Sequence, residues 1–175
     1  MLPSFPRHSV RGAAAAFAVA LSASASAGVI INEIDADQTG TDTTEFIELY
    51  DGGVGNTSLS GMFLVLFNGS TNNAYTKIDL TGKSTNASGF FLVASSGTDA
   101  SDRSVLSPGS GGWLQNGSEG TAQGDAVALF QGDVALIATS GSATSVTALP
   151  PELTLLDAVV YDGGATLSAN NDVLL

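Results

Sequence analysis

The sequence predicts an all-β fold, a β-sandwich, and three observations lead there. Short runs of β-branched and aromatic residues recur along the chain, each closed by Gly, Asn or Asp. After the N-terminal segment no stretch keeps a 3.6-residue apolar period, so no long helix is expected. The segments between the runs are rich in Gly, Ser and Thr, the residues of turns and connections.

The elements follow in order. Val29-Ile30-Ile31-Asn32-Glu33-Ile34 is the first predicted strand, and residues 45–50 form the second, stopped by Asp51-Gly52-Gly53. Residues 62–67 are a wholly apolar third run, as expected of a central strand covered on both faces. Residues 75–80 alternate, and residues 90–94 are apolar again. Three later strands are predicted at 126–130, 134–138 and 156–161, with Gln131-Gly132-Asp133 as a tight hairpin between the first two. Residues 94–125 read as a long loop pinned by Trp113 and Leu114 on the sandwich edge. Residues 139–154, with Pro150-Pro151, read as a second connection. Such lengths are unusual for plain connectors.

The N-terminus carries an address. Arg7, His8 and Arg11 precede an apolar stretch at 12–21, and Ser22-Ala23-Ser24-Ala25-Ser26-Ala27 follows. A basic start, a short apolar middle and a small-residue end are the parts of a secretory signal peptide. The middle is shorter than the roughly 20 apolar residues needed to span a bilayer. Residues 1–27 are therefore read as a signal, cleaved between Ala27 and Gly28 with Ala25 as the second choice. No membrane insertion is expected afterwards, and the product is expected outside the cytoplasm: secreted, periplasmic or at the cell surface.

Export changes the composition. The sequence has no Cys, and its single His, His8, leaves with the signal. Disulfides, Cys nucleophiles, Ser-His-Asp triads and ordinary zinc sites then fall away, leaving carboxylate chemistry and calcium-type oxygen sites. Lys77, Lys83 and Arg103 remain against 17 acids. Such a field repels phosphate backbones, so nucleic acid is not an expected partner.

Read together, these runs resemble a known family. Ile30-Ile31-Asn32-Glu33-Ile34, Thr44-Glu45-Phe46-Ile47-Glu48-Leu49-Tyr50 and Leu59-Ser60-Gly61-Met62-Phe63-Leu64-Val65-Leu66-Phe67-Asn68 begin the match. Gly89-Phe90-Phe91-Leu92-Val93, Gly124-Asp125-Ala126-Val127-Ala128-Leu129-Phe130 and Leu156-Asp157-Ala158-Val159-Val160-Tyr161 complete it in order. The set resembles the lamin-tail domain of secreted bacterial proteins over nearly all of 29–164. The resemblance implies an immunoglobulin-like sandwich over 28–165 that binds partners and supplies no catalytic residues, with Asn32, Glu33 and Glu48 as fold-marking positions. Similar domains often stand beside a nuclease or phosphatase domain or an anchoring tail. Related chains also continue past a segment like Asp172-Val173-Leu174-Leu175, so 166–175 reads as an incomplete C-terminal segment.

The densest acidic stretch offers one metal candidate. Asp35-Ala36-Asp37-Gln38-Thr39-Gly40 opens like a calcium loop, with acids at positions 1 and 3 and Gly at 6. Position 12 should be a bidentate Glu but is Phe46, with Glu45 one short. A solvated acidic loop is the plainer reading; a calcium site would use Asp35, Asp37 and Asp42. Glu45 and Glu48, three apart on a strand, point to opposite faces and do not make a glycosidase pair. Four glycosylation sequons, at Asn56, Asn68, Asn86 and Asn116, fall in predicted turns, where Asn is favoured for backbone reasons.

The leading expectation is an exported, non-catalytic module that binds a protein or cell-surface partner through loops or a sheet edge. One alternative is the accessory domain of a secreted nuclease or phosphatase, and another is a calcium-stabilised surface protein. N-terminal sequencing of the exported product should begin at Gly28; a product still starting at Met1 would overturn the signal assignment.

Overall fold

The computed structural model describes residues 28–36, 41–98, 104–109, 113–115 and 124–161. The expected signal at 1–27, Asp37 and the segment 166–175 lie outside the described residues. Eight strands occur among those described: β1 (Ile30–Asp35), β2 (Phe46–Tyr50), β3 (Met62–Asn68), β4 (Asn73–Asp79), β5 (Phe90–Ala94), β6 (Ser104–Leu106), β7 (Asp125–Gln131) and β8 (Thr154–Tyr161). They form two four-stranded sheets, ordered β1-β2-β5-β6 and β4-β3-β7-β8. Every pairing is antiparallel except β5 with β6. Among the described residues no helix is long and apolar enough to cross a membrane.

Alternation decides which side chains meet. Ile47 and Leu49 of β2 and Phe91 and Val93 of β5 face Leu64 and Leu66 of β3 and Val127 and Leu129 of β7, forming one buried cluster between the sheets. The other face of the second sheet is also buried. Phe63, Val65, Phe67, Ala126, Ala128 and Phe130 form a second cluster with Ile137 and Val146 from the connection that follows β7. Phe63 and Phe130, opposite one another, bring their rings to 5.8 Å. The apolar run at 62–67 is thus covered on both faces, as its composition requires.

That cover corrects one sequence expectation. Residues 134–138 are not a strand, and 131–133 is not a hairpin: Val134–Leu136 is a 3-10 turn whose N-cap, Asp133, accepts from the Ala135 N–H. β7 already has β3 on one side and β8 on the other, so no neighbouring place remains for a hairpin partner. The run turns across the sheet instead and buries Ile137. Lys77 of β4 fastens it, donating from Nζ to the carbonyls of Val134 (3.0 Å) and Ile137 (2.6 Å).

The sheets are also tied along one side. Asp157 of β8 accepts the Ile31 N–H on Oδ2 at 2.7 Å, joining the two edge strands β1 and β8. Next to it the β7–β8 register shifts between Leu129 and Phe130, a bulge in the ladder. The end of the sandwich near Asp51 has its own staple. Burial pushes the Asp51 carboxyl upward, yet hydrogen bonds from Thr57, Thr85, Gly55 and Gly53 outweigh burial and hold it below its ordinary value. Gly89, at φ +91°, leaves room for this carboxylate, because a Cβ there would collide with Asp51 and Gly53.

Three sequon asparagines serve turns. Asn56 adopts φ +56°, Asn68 Oδ1 accepts the Thr71 N–H, and Asn86 Oδ1 accepts those of Ser88 and Phe90. Asn116 lies outside the described residues.

If the post-β7 connection is a true core layer, Ile137→Ala should cost about 2–5 kcal/mol in urea unfolding. Leu136→Ala next to it, 41% exposed, should change stability by about 0.5 kcal/mol or less. Equal effects at the two positions would refute the packing described.

Candidate functional site

At the end of the sandwich opposite Asp51, β1, β3, β5 and β8 finish and β2, β4 and β7 begin. The described residues 113–115 bridge both sheets there. The Trp113 N–H donates to Glu45 Oε2 at 3.1 Å, and its indole N–H donates to Ser95 Oγ at 3.0 Å. Gln115 meets the second sheet: its N–H donates to the Tyr75 hydroxyl at 3.1 Å, and its carbonyl accepts from the Tyr161 hydroxyl at 2.9 Å. The Asn68 amide donates to Gln115 Oε1. Leu114, between them, is 2% exposed and belongs to the inter-sheet core. Residues 113–115 act as a clasp.

Glu45 and Asp125 anchor the surroundings. Glu45 shares parity with Ile47 and Leu49, so alternation turns it inward at the strand entrance; it is fully buried. Its carbonyl also accepts the Ser95 N–H at 2.8 Å. Gly97 packs so closely that a Cβ would lie 2.6 Å from the Thr43 carbonyl oxygen, which ties the β5 exit to the β1–β2 connection. Asp125, also buried, accepts the Gly69 N–H at 2.6 Å and fixes the β3–β4 turn. Three connections thus converge on one hydrogen-bonded cluster.

The electrostatics suit holding rather than proton transfer at neutral pH. Burial, chiefly, pushes the Tyr75 hydroxyl up to about 12, with Asp125 and Glu45 adding to the rise and hydrogen bonds from Gln115 and Tyr161 opposing it. Tyr161 is driven upward too, first by burial and then by Tyr75, Asp125 and Glu45. Both phenols stay protonated and act as hydrogen-bonding posts.

The acids singled out in the sequence border this end. Asp35 closes β1, Asp42 lies in the β1–β2 connection, and Asp37 is outside the described residues. Among the described residues no group of three or more His, Cys, Asp or Glu could hold a metal ion. Gly28 is exposed and Ala27 lies outside the described residues. Glu45 and Glu48 do part company: Glu45 joins the clasp, while Glu48 Oε1 accepts from the Asn32 amide at 2.8 Å on the outward face. Sequence reasoning missed Tyr75, Tyr161, Gln115 and Asp125 as a group. The available signal was tyrosine at strand ends, where an apolar ring packs inward and a polar tip needs a partner.

The raised phenols predict a pH dependence. The ordinary tyrosine value near 10 applies to the unfolded chain, and the folded Tyr75 holds its proton to about 12. The stabilisation is fully present below about pH 10 and is lost as pH rises through the folded value. Urea unfolding should therefore show stability falling between pH 10 and 12, with a shallower fall in Tyr75→Phe; an unchanged slope would contradict the buried network. No protein-family model matches this chain, and no curated protein matches it either.

Proposed function

We propose that this chain is an exported, non-catalytic module with an immunoglobulin-like sandwich of the lamin-tail type, which binds a protein or cell-surface partner outside the cytoplasm. The observation that carries this reading is the clasp at 113–115. It fixes the exits and entrances of three connections on one end of a rigid sandwich, and a rigid scaffold presenting loops is a common basis for recognition. The buried tyrosines of that end keep their protons, which suits support better than acid–base work at neutral pH. The His-free and Cys-free composition after residue 27 points the same way.

The test is capture. The exported chain, immobilised, should retain specific envelope or surface proteins, and a variant with residues 36–44 in scrambled order should retain them less. Equal retention by the two would count against loop-borne binding. Phosphodiesterase activity in the purified chain would contradict the non-catalytic reading.

A further inference from the structure

The two edges of the second sheet are finished differently. β8 has β1 beside it, joined through Asp157 and Ile31. β4 pairs with β3 alone among the strands, and the connection after β7 closes only its first residues. The Ala74 N–H donates to the Thr144 carbonyl at 2.8 Å, and Asn73 bridges to Ser145. Beyond Ala74 the ladder shows which backbone groups are left open. The Leu80 N–H donates to the Met62 carbonyl at 3.2 Å. Counted back in register, Leu64–Ile78 and Leu66–Thr76 are then the hydrogen-bonded pairs. Lys77 and Asp79, opposite Val65 and Phe63, therefore turn their N–H and C=O groups away from β3. Both residues are exposed, and among the described residues no backbone group bonds to these outward N–H and C=O groups.

A lysine ordinarily guards such an edge. Here the Lys77 ammonium is drawn over the outer face instead, to the carbonyls of Val134 and Ile137. Hydrogen bonds from the Thr81 side chain and N–H hold the Asp79 carboxyl below its ordinary value, so it is ionised at neutral pH. The open edge thus carries one cation and one anion, two residues apart and on the same face. A two-fold pairing of this edge with itself has to set open backbone groups against open ones. Centred on Lys77 it would place lysine against lysine, and centred on Asp79 aspartate against aspartate; both arrangements repel. Centred on Ile78 it places Lys77 opposite Asp79 of the second copy, and Asp79 opposite Lys77 of the second copy. Of the three registers, that one satisfies both backbone and charge.

We propose that the free edge of β4 pairs with the same edge of a second copy of this chain, antiparallel about Ile78, so that the second sheets of two molecules run on as one. Lys77 of each copy exchanges backbone hydrogen bonds with Asp79 of the other, their Cα atoms about 5.5 Å apart. An ammonium has three donors. Lys77 spends two on the cover, which leaves one for the facing carboxylate. The seam is short, because only the part of β4 beyond Ala74 is open, so the pair belongs to the small, transient class of contact. The chain's net charge of −12 opposes it, but at about 0.15 M salt the Debye length is about 8 Å, and charge carried away from the seam is screened. Pairing of copies uses no residue of the clasp and is independent of the partner proposed above.

The test uses the full chain, followed by sedimentation equilibrium and by hydrogen exchange read at single residues. Raising the concentration from micromolar towards millimolar should convert monomer to dimer. Over the same range the amides of Lys77 and Asp79, open in the monomer, should exchange several-fold more slowly. Asp79→Lys sets lysine against lysine on both sides of the two-fold axis and should weaken the dimer about tenfold or more, a loss of about 1.4 kcal/mol. Glu152→Lys, which makes the same change in net charge in the turn before β8, should leave the dissociation constant within about twofold of the parent. A chain that stays monomeric at the highest concentration would overturn the proposal. So would equal weakening by the two charge reversals, or a dimer in which the Lys77 and Asp79 amides exchange as fast as in the monomer, since another face would then hold it. Should Asp79→Lys misfold by circular dichroism, amide exchange in the parent chain still decides.

Discussion

The structure depends on the double-sided burial of the second sheet. β3 and β7 carry apolar residues on both faces, so pairing with the first sheet covers only half of what they must hide. Phe63, Val65, Phe67 and Phe130 on the far side are essentially inaccessible. At about 2 kcal/mol for each such side chain, exposing them would forfeit an amount on the order of a whole domain's margin of about 5–15 kcal/mol. The connection after β7 is accordingly a third layer rather than a linker. Its Pro150 and Ser/Thr residues look like loop chemistry, but Ile137, Val146, Leu149 and Leu153 pack on the sheet.

This explains which parts of the fold were legible in the sequence. Periodicity and turn residues mark β1 to β5, β7 and β8 to within two residues, because those strands are either apolar throughout or cleanly alternating. β6, Ser104–Leu106, is only three residues long and pairs in parallel, so neither a hairpin turn nor a period announces it. The run at 134–138 fails in the opposite way. Its β-branched and apolar residues read as a strand, and nothing local reveals that both neighbours of β7 are already taken. Strand identity was local information; sheet order was not.

The site divides similarly. Pinning of the long loop by Trp113 and Leu114 follows from two large apolar residues in a Gly/Ser-rich stretch. Their partners do not follow: Glu45, Ser95, Tyr75 and Tyr161 are scattered through the chain and meet only because the topology brings their strand ends together. Inverse parity at Glu45 and Glu48 was readable and holds. Its use, one carboxylate inward as an anchor and one outward accepting from Asn32, needed the register.

The link between Asp157 and Ile31 has a further meaning. An antiparallel sandwich that never closes into a barrel carries lateral strands whose open amides invite foreign chains to add on, the first step toward fibrils. Here an acidic side chain beside the bulge of β8 takes up the amide of the neighbouring lateral strand. An incoming strand would have to displace that contact and approach a carboxylate. A molecule without a disulfide to lock it therefore guards this border with a charge.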